Sequence, residues 1–87
     1  MEEALLKHPA VHYAGVIARP NQEMGEVPLG IVELHPDQLV TSQDLLIHCR
    51  EILGVNDAPY EVLIIDKMPM TPTGKIGKQE LIRLFGQ

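Results

Sequence analysis

Apolar and polar residues follow one another with a period that changes along the chain, and each period names an element. Glu2 to Lys7 sets two acids ahead of Leu5 and Leu6 and a lysine behind them. That charge order suits a helix macrodipole with both leucines facing inward, and Pro9 ends the helix by restricting His8. From Val11 to Ala18 apolar residues occupy both alternating faces: Val11, Tyr13 and Ile17 on one, Ala14, Val16 and Ala18 on the other. The pattern predicts a central strand covered on both sides. Pro20, Asn21 and Gly25 predict a turn over 20–26, and Leu29 to Leu34 predicts a second strand with Pro28 at its start, antiparallel to the first.

Thr41 opens the clearest helix. Its hydroxyl can cap the backbone N–H of Asp44, and Leu45, Leu46, Cys49, Ile52 and Leu53 recur at helical spacing before Gly54 stops the run. After a loop over 55–59, the four apolar residues Val62 to Ile65 predict a third strand over 61–65, buried on both faces. A last helix starts near Gly77 and places Leu81, Leu84 and Phe85 on one face before Gly86. The order is α-β-β-α-β-α, which predicts a small two-layer α+β domain whose three-stranded sheet packs with helices.

Length and composition bound the rest. A chain of 87 residues is one small domain, burying roughly 60–65% of its unfolded surface. Apolar residues make up 45% of the sequence but the aromatics are only Tyr13, Tyr60 and Phe85, so the core is built from Leu, Ile and Val. A net charge of −5 and the lack of a basic stripe argue against nucleic acid. No apolar run approaches the ~20 residues of a membrane span, and no signal segment is visible, so cytoplasmic residence is expected. Cys49 is the single cysteine and sits beside Leu45 and Leu46, which reads as a small core residue. His8 and His12 stand four apart with Pro9 between them, and His35 and His48 add no ligand spacing, so no metal site is expected. Glu2, Glu3, Asp37 and Asp44 read as caps and solvated charges.

The most informative stretch is Met68 to Lys78, Met-Pro-Met-Thr-Pro-Thr-Gly-Lys-Ile-Gly-Lys. Pro69 and Pro72 fix φ and bar helix, Thr71 and Thr73 can bond nearby backbone, and Gly74 allows positive φ just before Lys75. A lysine is thereby carried on a stiff, exposed loop between a buried strand and an amphipathic helix. A phosphate-binding Walker loop is excluded, because no glycine stands five residues before Gly74 and Ile76 replaces the Ser or Thr that would reach magnesium.

This loop resembles the last core motif of the adenylate-forming superfamily, which comprises acyl-CoA synthetases, adenylation domains of peptide synthetases and luciferases. The matching elements are Asp66, Met68-Pro69, Thr71, Gly74-Lys75-Ile76, Lys78 and Leu81, with two earlier segments in the same order: Glu2 to Val11, containing His8-Pro9, and Pro20 to Glu26, ending in Gly25-Glu26. The resemblance covers almost the whole chain, residues 1–87, but only the family's C-terminal domain. It implies that the ATP- and acid-binding N-terminal domain is absent from this chain. Met24, Pro20-Asn21 and Asn56-Asp57 depart from the family's usual residues at their positions.

The resemblance also implies a function: the mobile C-terminal lid of an AMP-forming acid–thiol ligase. Lys75 corresponds to the lysine that assists adenylation of a small carboxylic acid by ATP, with Thr71, Thr73 and Gly74 shaping its loop. The Gly25–Glu26 turn corresponds to a surface near the thiol partner or the large domain. The implied cofactors are ATP, with magnesium on the absent domain, and coenzyme A or a carrier pantetheine; none is expected to bind this domain alone. The implied partner is an N-terminal adenylation domain, in the same or a separate chain, and the isolated chain is not expected to turn over. Residues 66–69 and 48–50 favour an acyl-CoA synthetase, while Met70-Thr71-Pro72 also suits the lid of a peptide-synthetase module. A free-standing binding or regulatory module that keeps the fold without catalysis is the alternative.

Overall fold

The computed structural model describes residues 1–86. Three helices, α1 (Glu2–Leu6), α2 (Ser42–Leu53) and α3 (Lys78–Phe85), accompany three strands, β1 (Val11–Asn21), β2 (Gly25–Leu34) and β3 (Glu61–Ile65). The α+β class and the order α-β-β-α-β-α are those expected. The strands lie in the order β1-β2-β3, with β1 antiparallel to β2 and β3 parallel to it. The parallel pairing follows from α2, because a helical crossover returns the chain to the same end of the sheet from which β2 set out.

Two expectations about the strands are corrected. β1 is an edge strand and β2 is the central one. The sequence pattern of β1 misleads because helices cover both faces of the sheet, so Val11, Ala14 and Ile17 are all buried although one edge of β1 is unpaired. The hairpin is also longer than predicted: Pro20, Asn21, Gly25 and Glu26 belong to the strands, Asn21 pairs with Gly25, and only residues 22–24 form the turn. Pro28 therefore lies inside β2, just before the ladder with β3 begins at Leu29, where its missing N–H breaks no bond to β3.

The buried side chains form two clusters on opposite faces of the sheet. One gathers Ala4 and Leu5 of α1, Leu45, Leu46 and Cys49 of α2, and Ala14, Val32 and Val62 of the strands. The other gathers Ile17, Leu29 and Ile31 with Met68 and Leu81, and Tyr13, Leu63, Ile65, Ile76 and Phe85 pack on it. Gly15 makes room for this second layer: a Cβ there would lie 3.0 Å from Leu81 Cδ1 and 3.5 Å from Ile76 Cγ2. β3 is less buried than its apolar run predicts, since only Val62 is fully enclosed and Leu63, Ile64 and Ile65 are partly covered. Three residues read as core faces lie at helix rims instead: Leu6, Ile52 and Leu84 are 47%, 44% and 51% exposed.

The capping prediction for α2 holds in full. Thr41 Oγ1 accepts the Asp44 N–H at 3.1 Å and Asp44 Oδ2 accepts the Thr41 N–H at 3.0 Å, a reciprocal capping box. Gly54 closes the helix at φ +85°.

Candidate functional site

The loop that bears Lys75 starts where β3 ends and is fastened before it turns. Met68 is 1% exposed, enclosed with Ile31 and Leu81, and its N–H donates to Glu33 Oε1 on β2 at 2.5 Å. The chain then rises and returns as a narrow hairpin: Met70 and Ile76 form an antiparallel bridge, and the Gly77 N–H donates to the Pro69 carbonyl at 2.8 Å. Ile76 packs back onto the same buried cluster as Met68. Both arms are therefore tied to one hydrophobic base.

At the tip, Thr71 holds both backbone groups of Lys75. The Thr71 N–H donates to the Lys75 carbonyl at 2.7 Å, and Thr71 Oγ1 accepts the Lys75 N–H at 3.2 Å. The Thr71 carbonyl accepts the Gly74 N–H at 2.9 Å, which closes a turn around Pro72 and Thr73, and the two threonine hydroxyls lie 3.0 Å apart. Gly74 has φ +83° with nothing within 4 Å of where a Cβ would stand, so torsion and not space selects glycine. Thr71, Thr73, Gly74 and Lys75 thus come together as one unit.

Lys75 is exposed and makes no ion pair among the described residues. Lys78 differs: its Nζ pairs with Glu2 Oε1 at 2.8 Å, and Glu2 also accepts the Val16 N–H at 3.2 Å. Burial opposes the charge on Glu2, but the bonds from Lys78 and the Val16 N–H outweigh it and hold the carboxyl below its ordinary range. Glu2, read as a cap or solvated charge, is thus a structural tie from α1 to β1 and α3. The arrangement leaves an unneutralised ammonium at the tip of a short, stiff hairpin, free to meet an anion brought to it.

Gly25 and Glu26 lie elsewhere. They open β2, whereas the lysine loop leaves the sheet beside Glu33 and Ile65, toward the other end of that strand. Their hairpin is shaped by Asn21, whose Oδ1 accepts the N–H groups of Glu23 and Met24 at 2.9 and 3.0 Å, and Gly25 has φ +80°.

The histidines are engaged structurally. His48 Nε2 lies 2.8 Å from the Ala4 carbonyl, His8 Nδ1 accepts the Ala10 N–H at 3.1 Å, and His12 stacks on Tyr13 and His35. Among the described residues no three His, Cys, Asp or Glu groups stand together as metal ligands. Cys49 is enclosed as expected, and burial pushes its thiol pKa up, away from a reactive thiolate. Glu33 also belongs to this site, and its signal in the sequence is an acid at the alternate position after Leu29 and Ile31, on the face that the pattern reserves for the core.

The profile of the family described as the AMP-binding enzyme C-terminal domain matches residues 1–75. The chain belongs to that family. Over 99% of its length it is 34% identical to the peroxisomal trans-cinnamate:CoA ligase of Petunia hybrida, and over 98% it is 37% identical to the vibriobactin-specific 2,3-dihydroxybenzoate-AMP ligase of Vibrio cholerae. Each alignment covers 16% of the relative, so the chain spans about a sixth of the length of these proteins. Among solved structures, the acyl-CoA synthetase of Brucella canis superposes on 92% of this chain with a TM-score of 0.82 at 34% identity, using 15% of its own chain. Among the described residues no helix is long and apolar enough to cross a membrane.

Proposed function

We propose that this chain is the mobile C-terminal lid of an AMP-forming acid–thiol ligase of the acyl-CoA synthetase type, acting in the cytoplasm, and that Lys75 is its adenylation lysine. The observation that carries the reading is an exposed ammonium, with no ion pair among the described residues, at the tip of a loop whose backbone Thr71 grips on both sides. In adenylation a carboxylate oxygen attacks the α-phosphate of ATP, forming the acyl-adenylate and releasing pyrophosphate. Two anions must meet, and an ammonium between them offsets their repulsion and aligns the attack.

The large N-terminal domain, in the same or a separate polypeptide, supplies the pocket for a small carboxylic acid and the magnesium that accompanies ATP. This domain supplies the lysine and then swings away, so that another face, which includes Gly25 and Glu26 at the start of β2, attends the attack of coenzyme A or a carrier pantetheine on the acyl-adenylate. The 87 residues alone are not expected to turn over.

The test is ATP–pyrophosphate exchange by this chain joined to its adenylation domain, with a panel of carboxylic acids. Exchange that is present in the wild type and falls by about 10²–10³ in Lys75→Ala supports the assignment. Exchange that is absent for every acid, or indifferent to Lys75, would turn the reading toward a binding module that keeps the fold.

A further inference from the structure

An acid on the core-facing side of a central strand needs a reason. Glu33 shares the face of β2 that carries Leu29 and Ile31, both at most 1% exposed, and its own side chain is 16% exposed. Placing a carboxylate there is costly unless its oxygens are occupied. Both are: Oε1 accepts the Met68 N–H, and Oε2 lies 3.3 Å from His12 Nδ1 on β1. His12 is in turn stacked on His35, with ring centroids 4.7 Å apart.

We propose that Glu33 is a positioning residue for Lys75, acting through the Met68 backbone, a proposal that rests on the adenylation reading above. Beyond β3 the chain has no regular ladder to continue, so the direction in which it leaves the sheet is set by what holds Met68. The side chain of Met68 is held by apolar contact, which is non-directional, whereas its N–H is held by a charged acceptor with a defined direction. From there the constraint passes from Pro69 to Gly77, from Met70 to Ile76 and from Thr71 to Lys75. Each step is a cross-strand bond of the same narrow hairpin. A change in the heading of the first arm therefore moves the lysine, and a misplacement of about 1 Å costs as much as 10²-fold in rate.

Two substitutions separate positioning from stability. Glu33→Gln keeps an oxygen acceptor for the Met68 N–H, while Glu33→Val suits the apolar face and removes it. The ligase assembled with its adenylation domain is expected to lose roughly tenfold or more of its ATP–pyrophosphate exchange in Glu33→Val. Thioester formation from supplied acyl-adenylate should be unchanged, and Glu33→Gln should restore exchange to within about threefold of wild type. Hydrogen exchange of the Met68 amide in the 87-residue chain provides a readout independent of catalysis. Protection should fall about tenfold in Glu33→Val and persist in Glu33→Gln. Unaltered Met68 protection in Glu33→Val overturns the proposal, as does equal loss of both half-reactions or failure of Gln to rescue. If Lys75→Ala leaves exchange intact, the adenylation reading fails while the Met68 measurement still reports whether Glu33 fixes the loop.

Discussion

Two turns in this domain are built from the same chemistry and end in different mechanical situations. The β1–β2 turn and the lysine loop each enclose a short run, 22–24 and 72–74, and each uses a positive-φ glycine to return the chain, Gly25 at +80° just after the first run and Gly74 at +83° as the last residue of the second. In each, a polar side chain on the outgoing arm accepts backbone N–H groups, Asn21 Oδ1 in one and Thr71 Oγ1 in the other. The first stands on its two strands, with Gln22 to Glu26 all exposed. The second rests on Met68 and Ile76, packed into a buried cluster, and on Glu33. Turn chemistry sets the shape of a loop, and what lies beneath it decides how firmly that shape is aimed.

Removing the buried base of the lysine loop has the largest expected effect. Met68→Ala empties a fully enclosed site and is expected to cost about 2–5 kcal/mol in denaturant unfolding. Alanine substitutions within the β1–β2 turn remove little buried surface by contrast, because Gln22, Glu23 and Met24 are exposed.

Gly74→Ala and Gly25→Ala form the next pair. At neither glycine does any atom lie within 4 Å of where an added methyl would stand, so each substitution is penalised by torsion alone, about 1–2 kcal/mol on thermal unfolding. The two should match in stability and part in function, with adenylation reduced only by Gly74→Ala. Equal loss of adenylation in both would erase the distinction between the turns.

How much of this is legible in the sequence differs between the two turns and the rest. Thr71, Pro72, Gly74 and Lys75 can be read as a stiff loop because their preferences are local, and the capping box at Thr41 and Asp44 is visible for the same reason. β1 reads as the central strand because the pattern reports that both of its faces are covered, which helices do here, and carries no information on whether both of its edges are paired. The edge exposure of Leu6, Ile52 and Leu84 depends on where each helix is rotated against its neighbours, which periodicity fixes only to within a residue. Glu33 and Glu2 escape notice as structural ties because their partners, Met68, Lys78 and Val16, are distant in sequence.

The bonds within the two turns contribute less. Thr71→Ala removes the acceptor for the Lys75 N–H and is expected to cost about 0.5–1.5 kcal/mol, with Asn21→Ala costing a similar amount at the other turn. Amide exchange should report each loss locally, at Lys75 in the first variant and at Glu23 and Met24 in the second.

The smallest effect is a pH dependence. Asp44 is held below the ordinary carboxylate range by bonds from the Thr41 backbone and then its hydroxyl, and Glu2 is held low despite its burial by Lys78 and the Val16 N–H. A lowered folded-state pKa stabilises the protein above the unfolded value, about 3.9 for Asp and 4.3 for Glu, and that contribution disappears as pH falls through the folded value. Unfolding followed from pH 6 down to about pH 3 should therefore show a shallower acid loss of stability in Glu2→Gln than in the wild type.

The role of Lys75 is tested by a crossed comparison of Lys75→Ala and Glu26→Ala in the two half-reactions, with this chain joined to its adenylation domain. Lys75→Ala is expected to lower ATP–pyrophosphate exchange by about 10²–10³ and to spare thioester formation from supplied acyl-adenylate, while Glu26→Ala leaves exchange intact. Lys75→Ala lowering both half-reactions equally, or sparing exchange, would contradict that role.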